Sequence, residues 1–274
     1  MTNGDGGSAS ELRFASSASE LRFASSASEL RFASSASELR FASMAGELRF
    51  PSMAGELRFP SSAGELPAIL QRPAKAHALF VLAHGAGAGM RHPFLAALAE
   101  ALAAEGVATF RWQFAYLEKG SRRPEPPRVL EACARAAVAA GAAAAPDLPL
   151  FAGGKSMGGR ITSQAAALEP MPGLHGIAFV GFPLHPADAP AVKRGEHLAQ
   201  VPVPLLFLQG TRDKLADLSL LRPIVEKLPR ATLHVIEDAD HSFHVPKRSG
   251  RTDGEVIAEL AQTIARWAAA GGGR

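Results

Sequence analysis

In Gly154-Lys155-Ser156-Met157-Gly158 a serine lies two residues from a glycine on each side. A serine hydroxyl attacks a carbonyl carbon efficiently only when a base takes its proton, and that base must be oriented by a third group. A Gly-x-Ser-x-Gly set between a buried strand and a helix supplies the nucleophile: the strained turn lifts the hydroxyl clear of the sheet and excludes bulk at the two glycine positions. The Met157 N–H would then lie at a helix N-terminus, facing any oxyanion that develops. Gly153 and Gly159 extend the run of small residues. The pattern is common in a chain with 26 glycines, so its setting carries the weight.

The acid and the base are expected after later strands, in the order Ser, acid, His. Residues 204–210 read as such a strand, and Asp213 follows in Gly210-Thr211-Arg212-Asp213. Residues 232–237 read as the next, followed by Asp238-Ala239-Asp240-His241. The candidate triad is therefore Ser156, Asp213 and His241. Asp217 is expected to open the next helix, Asp238 and Asp240 to shape the loop of His241, and His244 stands as the rival base. The second oxyanion donor is expected from His84-Gly85-Ala86-Gly87-Ala88-Gly89-Met90, with the Ala86 N–H first and the Gly87 N–H as the alternative. His84 itself reads as a structural hydrogen-bonding residue. Gly154-Lys155-Ser156 also invites a phosphate-loop reading, but that motif needs glycine at 149, where Pro149 stands.

Strand and helix signals alternate from residue 68 onward, which predicts a mostly parallel central sheet with helices on both faces, an α/β fold. Expected strands are 78–83, 107–114, 148–153, 176–182, 204–210 and 232–237, with an edge strand at 66–71. Expected helices are 93–105, 127–140, 156–168, 218–228 and 255–268. The connection 182–201, where a lid is often inserted, holds three prolines and cannot form a helical cap domain. The site should be shallow and open, which suits small or extended acyl groups.

The first sixty residues are of another kind. Glu-Leu-Arg-Phe recurs every nine residues from 11–14 to 56–59, and Met44 and Met53 each open a Met-Ala-Gly-Glu-Leu-Arg-Phe-Pro unit. One Leu and one Phe in nine residues do not build a stacked core. The expected organisation is thus a disordered repeat extension over 1–66 and a folded α/β domain over 67–270. The alternative for the repeats is a multivalent protein-binding tail with Leu-Arg-Phe as its unit.

Net charge is +3, and residues 1–66 carry six Arg against seven Glu and one Asp. Basic residues beyond them are scattered rather than striped, which argues against nucleic acid or a membrane surface as partner. Cys133 is the single cysteine and reads as a buried small residue. No secretory leader or membrane span is legible, so a cytoplasmic protein is expected, without cofactor or metal.

From residue 68 to 270 the chain resembles the capless, dienelactone-hydrolase-like branch of the α/β-hydrolases. It is similar to the group that includes the testis-expressed and NSL chromatin-complex hydrolase-like proteins. The resemblance rests on His84 to Met90, His92-Pro93-Phe94, Phe110-Arg111-Trp112-Gln113-Phe114-Ala115-Tyr116, Gly153 to Arg160, Gly181-Phe182-Pro183-Leu184-His185-Pro186, Gln209 to Asp213 and Asp240-His241. It implies a serine hydrolase acting on an ester, thioester or related acyl bond through Ser156, Asp213 and His241. Dienelactone hydrolases proper use cysteine as nucleophile, and this chain has Ser156. Some eukaryotic relatives look like scaffold subunits, so the second reading is a catalytically idle interaction module on the same fold.

Overall fold

The computed structural model describes residues 53–272, together with short strand segments at Arg13–Phe14, Glu20–Arg22 and Arg31–Ala33. The main sheet contains β1 (Met53–Ser61), β2 (Gly64–Arg72), β3 (Ala78–Ala83), β4 (Val107–Trp112), β5 (Leu150–Lys155), β6 (Leu174–Val180), β7 (Leu205–Gly210) and β8 (Ala231–Ile236). Their spatial order is 1-2-4-3-5-6-7-8, with Arg13–Phe14 paired to the outer side of β1. β2 runs antiparallel to both of its neighbours, and β4, β3, β5, β6, β7 and β8 are parallel.

Parallel strands covered on both faces must be apolar along their whole length, and β3 and β7 are buried at every position. Alternation then divides each strand between two cores. Leu79, Val81 and Ala83 of β3 join one cluster with α3 (Pro127–Ala144) and α4 (Met157–Leu168). Ala78, Phe80 and Leu82 join the other, with α1 (Pro93–Ala104) and α6 (Asp253–Ala269). A one-turn α2 (Ala115–Glu118) follows β4, and α5 (Leu218–Glu226) lies between β7 and β8. Cys133 is buried in α3, and burial pushes its thiol pKa up. Among the described residues no helix is long and apolar enough to cross a membrane.

The expected boundary at residue 66/67 does not hold. The sheet begins at Met53, and Glu56-Leu57-Arg58-Phe59, the last complete repeat, lies inside β1. Leu57 and Phe59 stand two apart, so both project to the same face, where each is 0% exposed. Phe59 meets the rings of Phe110 and Trp112, with centroids 5.7 and 6.4 Å away. The segment expected at the edge, β2, is internal, because β1 folds back on it through Ser62 and Ala63. The other repeats lie outside the described residues apart from the short segments named above. The connection after β6 carries only a 3₁₀ run, Lys193–Gln200, and no cap domain.

Candidate active site

Ser156 sits between β5 and α4 with φ 51° and ψ −118°, in the positive-φ region that non-glycine residues occupy only under constraint. The packing shows why the flanking glycines are required. A Cβ on Gly154 would lie 2.2 Å from the Ala83 carbonyl oxygen, and one on Gly158 would lie 2.6 Å from that of His84. β3 and the first turn of α4 therefore approach closer than any side chain allows. The strain at Ser156 is held in place by neighbours that cannot move aside.

Three elements from separate strand ends converge on this serine. Ser156 Oγ donates to His241 Nε2 at 2.8 Å, and His241 Nδ1 donates to Asp213 Oδ2 at 2.7 Å. The imidazole keeps 24% of its side-chain surface exposed and the carboxylate 1%, so the chain of bonds runs from solvent inward. Asp213 is anchored twice more: Oδ2 accepts from Gln209 Nε2 at 2.5 Å and Oδ1 from the Leu215 N–H at 2.7 Å. Gln209, wholly buried, also accepts from the Phe182 N–H at 2.9 Å, tying the acid to the turn after β6.

The competitors take the lesser roles the sequence suggested. Asp217 caps α5 by accepting from the Ser219 N–H, and Asp240 Oδ1 accepts from the N–H groups of Ser242 and His244. Asp238 adopts φ 59° in the turn before that loop. His244, the rival base, points away and pairs with Asp253 at 2.9 Å, with 63% of its side chain exposed. The pairing raises the pKa of His244. Phe243 stacks on Phe94 of α1 with ring centroids 5.8 Å apart, which fixes the loop of His241 against the second core.

Lys155 precedes the serine and lays its ammonium 5.6 Å from the centroid of the Phe243 ring. Burial lowers its pKa to about 8, opposed by the negative charges of Asp213 and Asp240.

The loop after β3 lies beside the serine: a Cβ on Gly85 would be 3.6 Å from that of Ser156. The Ala86 N–H has no intramolecular acceptor among the described residues. Met157, the first residue of α4, has no intrahelical partner for its amide either. Gly87, the alternative donor, is corrected by the structure, because its N–H donates to the Tyr116 hydroxyl at 3.0 Å. That bond folds the loop back onto α2. Burial raises the Tyr116 pKa, which keeps the phenol neutral.

His84 completes the support from below. It is wholly buried; Nδ1 donates to the Gly85 carbonyl at 2.7 Å and Nε2 accepts from the Phe114 N–H at 3.1 Å. The bond accepted at Nε2 requires the neutral ring, and burial lowers its pKa to about 4 against the opposing pull of the Gly85 carbonyl. This has a consequence for stability. The unfolded chain takes up a proton on this histidine below about pH 6.5, and the folded chain does so only near pH 4. The contribution is therefore fully present above pH 6.5 and is lost as pH falls from there toward 4. Between pH 7.5 and 4.5 the loss through His84 should be about 2–3 kcal/mol. His197, whose Nε2 accepts from Ser163 Oγ at 2.7 Å and whose pKa burial also lowers to about 4, adds in the same direction. Urea unfolding at the two pH values measures the slope; in His84→Asn it should flatten, and an unchanged slope would remove His84 from the account.

Gln209 and Tyr116 belong to the site's framework, and nothing in their sequence spacing marks them out. Each meets its partner across a gap in the chain, Gln209 to Phe182 and Tyr116 to Gly87. Among the described residues no group of three or more His, Cys, Asp or Glu is arranged to hold a metal ion.

Residues 76–269, well over half of the chain, match the family described as alpha/beta hydrolase domain. The chain belongs to that family. Solved structures of similar fold include a dienelactone hydrolase from Anabaena variabilis, at 21% identity and a TM-score of 0.62, covering 80% of this chain and 97% of that one. An α/β serine hydrolase without a lid from Xanthomonas campestris matches at 21% identity and 0.62, again over 80% and 97% of the two chains. The esterase domain of a Rhodothermus marinus protein matches at 18% and 0.59, over 79% and 98%. In this α/β hydrolase the site lies at the C-terminal ends of β5, β7 and β8, where open parallel sheets carry their ligands.

Proposed function

We propose that the protein is a serine hydrolase that cleaves an ester, thioester or related acyl bond through an acyl-enzyme. The observation that carries this reading is the continuous pair of bonds from Ser156 Oγ through His241 to Asp213, 2.8 and 2.7 Å long. As Ser156 Oγ bonds to the acyl carbon, His241 Nε2 takes the hydroxyl proton, and the carbonyl π pair moves onto oxygen. The amides of Ala86 and Met157 stabilise that oxyanion. Collapse breaks the bond to the leaving group, which departs with the proton from His241. Water, deprotonated by the same imidazole, then attacks the acyl-enzyme and releases the acid and Ser156. Asp213 holds the tautomer and stabilises the imidazolium.

The partly exposed imidazole and the uncapped connection after β6 favour small or extended acyl groups over long-chain lipids. An esterase domain and a lidless serine hydrolase among the proteins of similar fold support the same class. A fluorophosphonate probe should label the full-length protein once, on the peptide that contains Ser156, and should leave Ser156→Ala unlabelled. Labelling of both forms, or of neither while the protein is folded, would overturn this reading in favour of an idle interaction module.

A further inference from the structure

The sequence of strand β1 is written twice in the chain. The nine residues that form it, Met53 to Ser61, are identical to residues 44–52. The slot they fill is the outer side of β2, floored by Phe110 and Trp112 against Phe59. Its polar contacts are equally specific to the unit: Arg58 donates to the Glu65 carbonyl and to the Glu118 carboxylate, and Glu56 accepts from Arg91. Residues 44–52 carry the same groups at the same spacing, as Glu47, Leu48, Arg49 and Phe50.

We propose that this slot is a strand-binding surface with two occupants in one chain, residues 53–61 and residues 44–52, which exchange. Nothing in the slot distinguishes the two copies; only the connection to β2 does. With 53–61 seated, the connection is Ser62 and Ala63, closed by a bond from the Ala63 N–H to Ser61 Oγ. With 44–52 seated, the connection is residues 53–63. Closure probability falls roughly as the 3/2 power of loop length, so the longer loop is disfavoured about tenfold. The proximal copy therefore holds the slot, and the distal copy is a reserve that takes over when the first is damaged. Earlier repeats keep Glu-Leu-Arg-Phe but lack the flanking Met-Ala-Gly and Pro-Ser, and their connections lengthen by nine residues each. They rank behind.

The test uses the full chain. Leu57→Asp with Phe59→Asp puts two charges into fully buried positions, yet with the reserve seated the thermal midpoint should fall by only about 5 °C. Leu48→Asp with Phe50→Asp should leave it unchanged. All four substitutions together should lower it by more than about 10 °C. Equal midpoints for the proximal pair and the quadruple variant, high or low, would overturn the proposal. A cross-link gives a second reading. Ala54 faces Gln71 in the β1–β2 register, so in the Leu57→Asp, Phe59→Asp background a cysteine at position 45 should oxidise with one at 71. Peptide mass spectrometry detects the 45–71 pair; its absence, when Ala54→Cys with Gln71→Cys oxidises in the otherwise native chain, would also overturn the exchange.

Discussion

Ser156→Ala is expected to lower kcat/KM for a p-nitrophenyl ester by about 10⁴–10⁶-fold while leaving the fold intact. The loss is large because the hydroxyl is, among the described residues, the one group hydrogen-bonded to His241 Nε2. Without it the imidazole can at best activate water, at a position the elbow does not define. The residual rate would come from the amides of Ala86 and Met157, which are backbone donors and survive the change. The fold should tolerate the substitution, because the Ser156 side chain makes no capping bond to α4. The thermal midpoint is the control. A variant that keeps more than about a thousandth of the rate would place the nucleophile elsewhere.

Asp213→Asn should cost about 10⁴-fold in kcat at neutral pH, with little change in KM. The reason lies in the number of donors that converge on the carboxylate. Oδ2 receives both Gln209 Nε2 and His241 Nδ1, and Oδ1 receives the Leu215 amide. An asparagine offers one oxygen and an NH₂ group, so one side of the cluster must present donor to donor. If the NH₂ group faces His241, the ring keeps its proton on Nε2 and cannot accept one from Ser156. Raising the pH does not restore the tautomer, so the deficit should persist across the neutral range. Steady-state rates from pH 6 to 9 check this; a deficit smaller than about tenfold would mean that Asp213 does not orient the base.

Much of this site was legible because its members obey local rules. Ser156 follows a buried run and precedes a helix, and Asp213 and His241 each follow a later strand in the required order. The loop after β3 was legible as a neighbour of the serine, and one of its amides was misread. Gly87 carries no sign that its amide is committed, because Tyr116, which receives it, comes 29 residues later. Gln209 was opaque for the same reason: it reads as the end of an apolar strand, and only the turn at Phe182 and the carboxylate of Asp213 give its amide a purpose. The first strand failed differently. Its two apolar residues look too few to build a core, and they need not build one, since β2, Phe110 and Trp112 already supply the other wall. What separates this copy of the repeat from the rest is the chain that follows it, a short turn and then a partner strand.

The register of β3 with β5 sets Ala83 opposite Gly154. The loop of Ala86 leaves one of these strands and the turn to Met157 leaves the other. The two amides proposed to hold the oxyanion each lie three residues beyond this pair, on neighbouring strands whose spacing of about 4.8 Å backbone chemistry holds nearly constant. Both proposed donors are therefore main-chain groups carried from paired strands. The exposed side chain at 86 is free to diverge, whereas Met157 is committed to the core, so variation in what the site admits falls to the loop after β3.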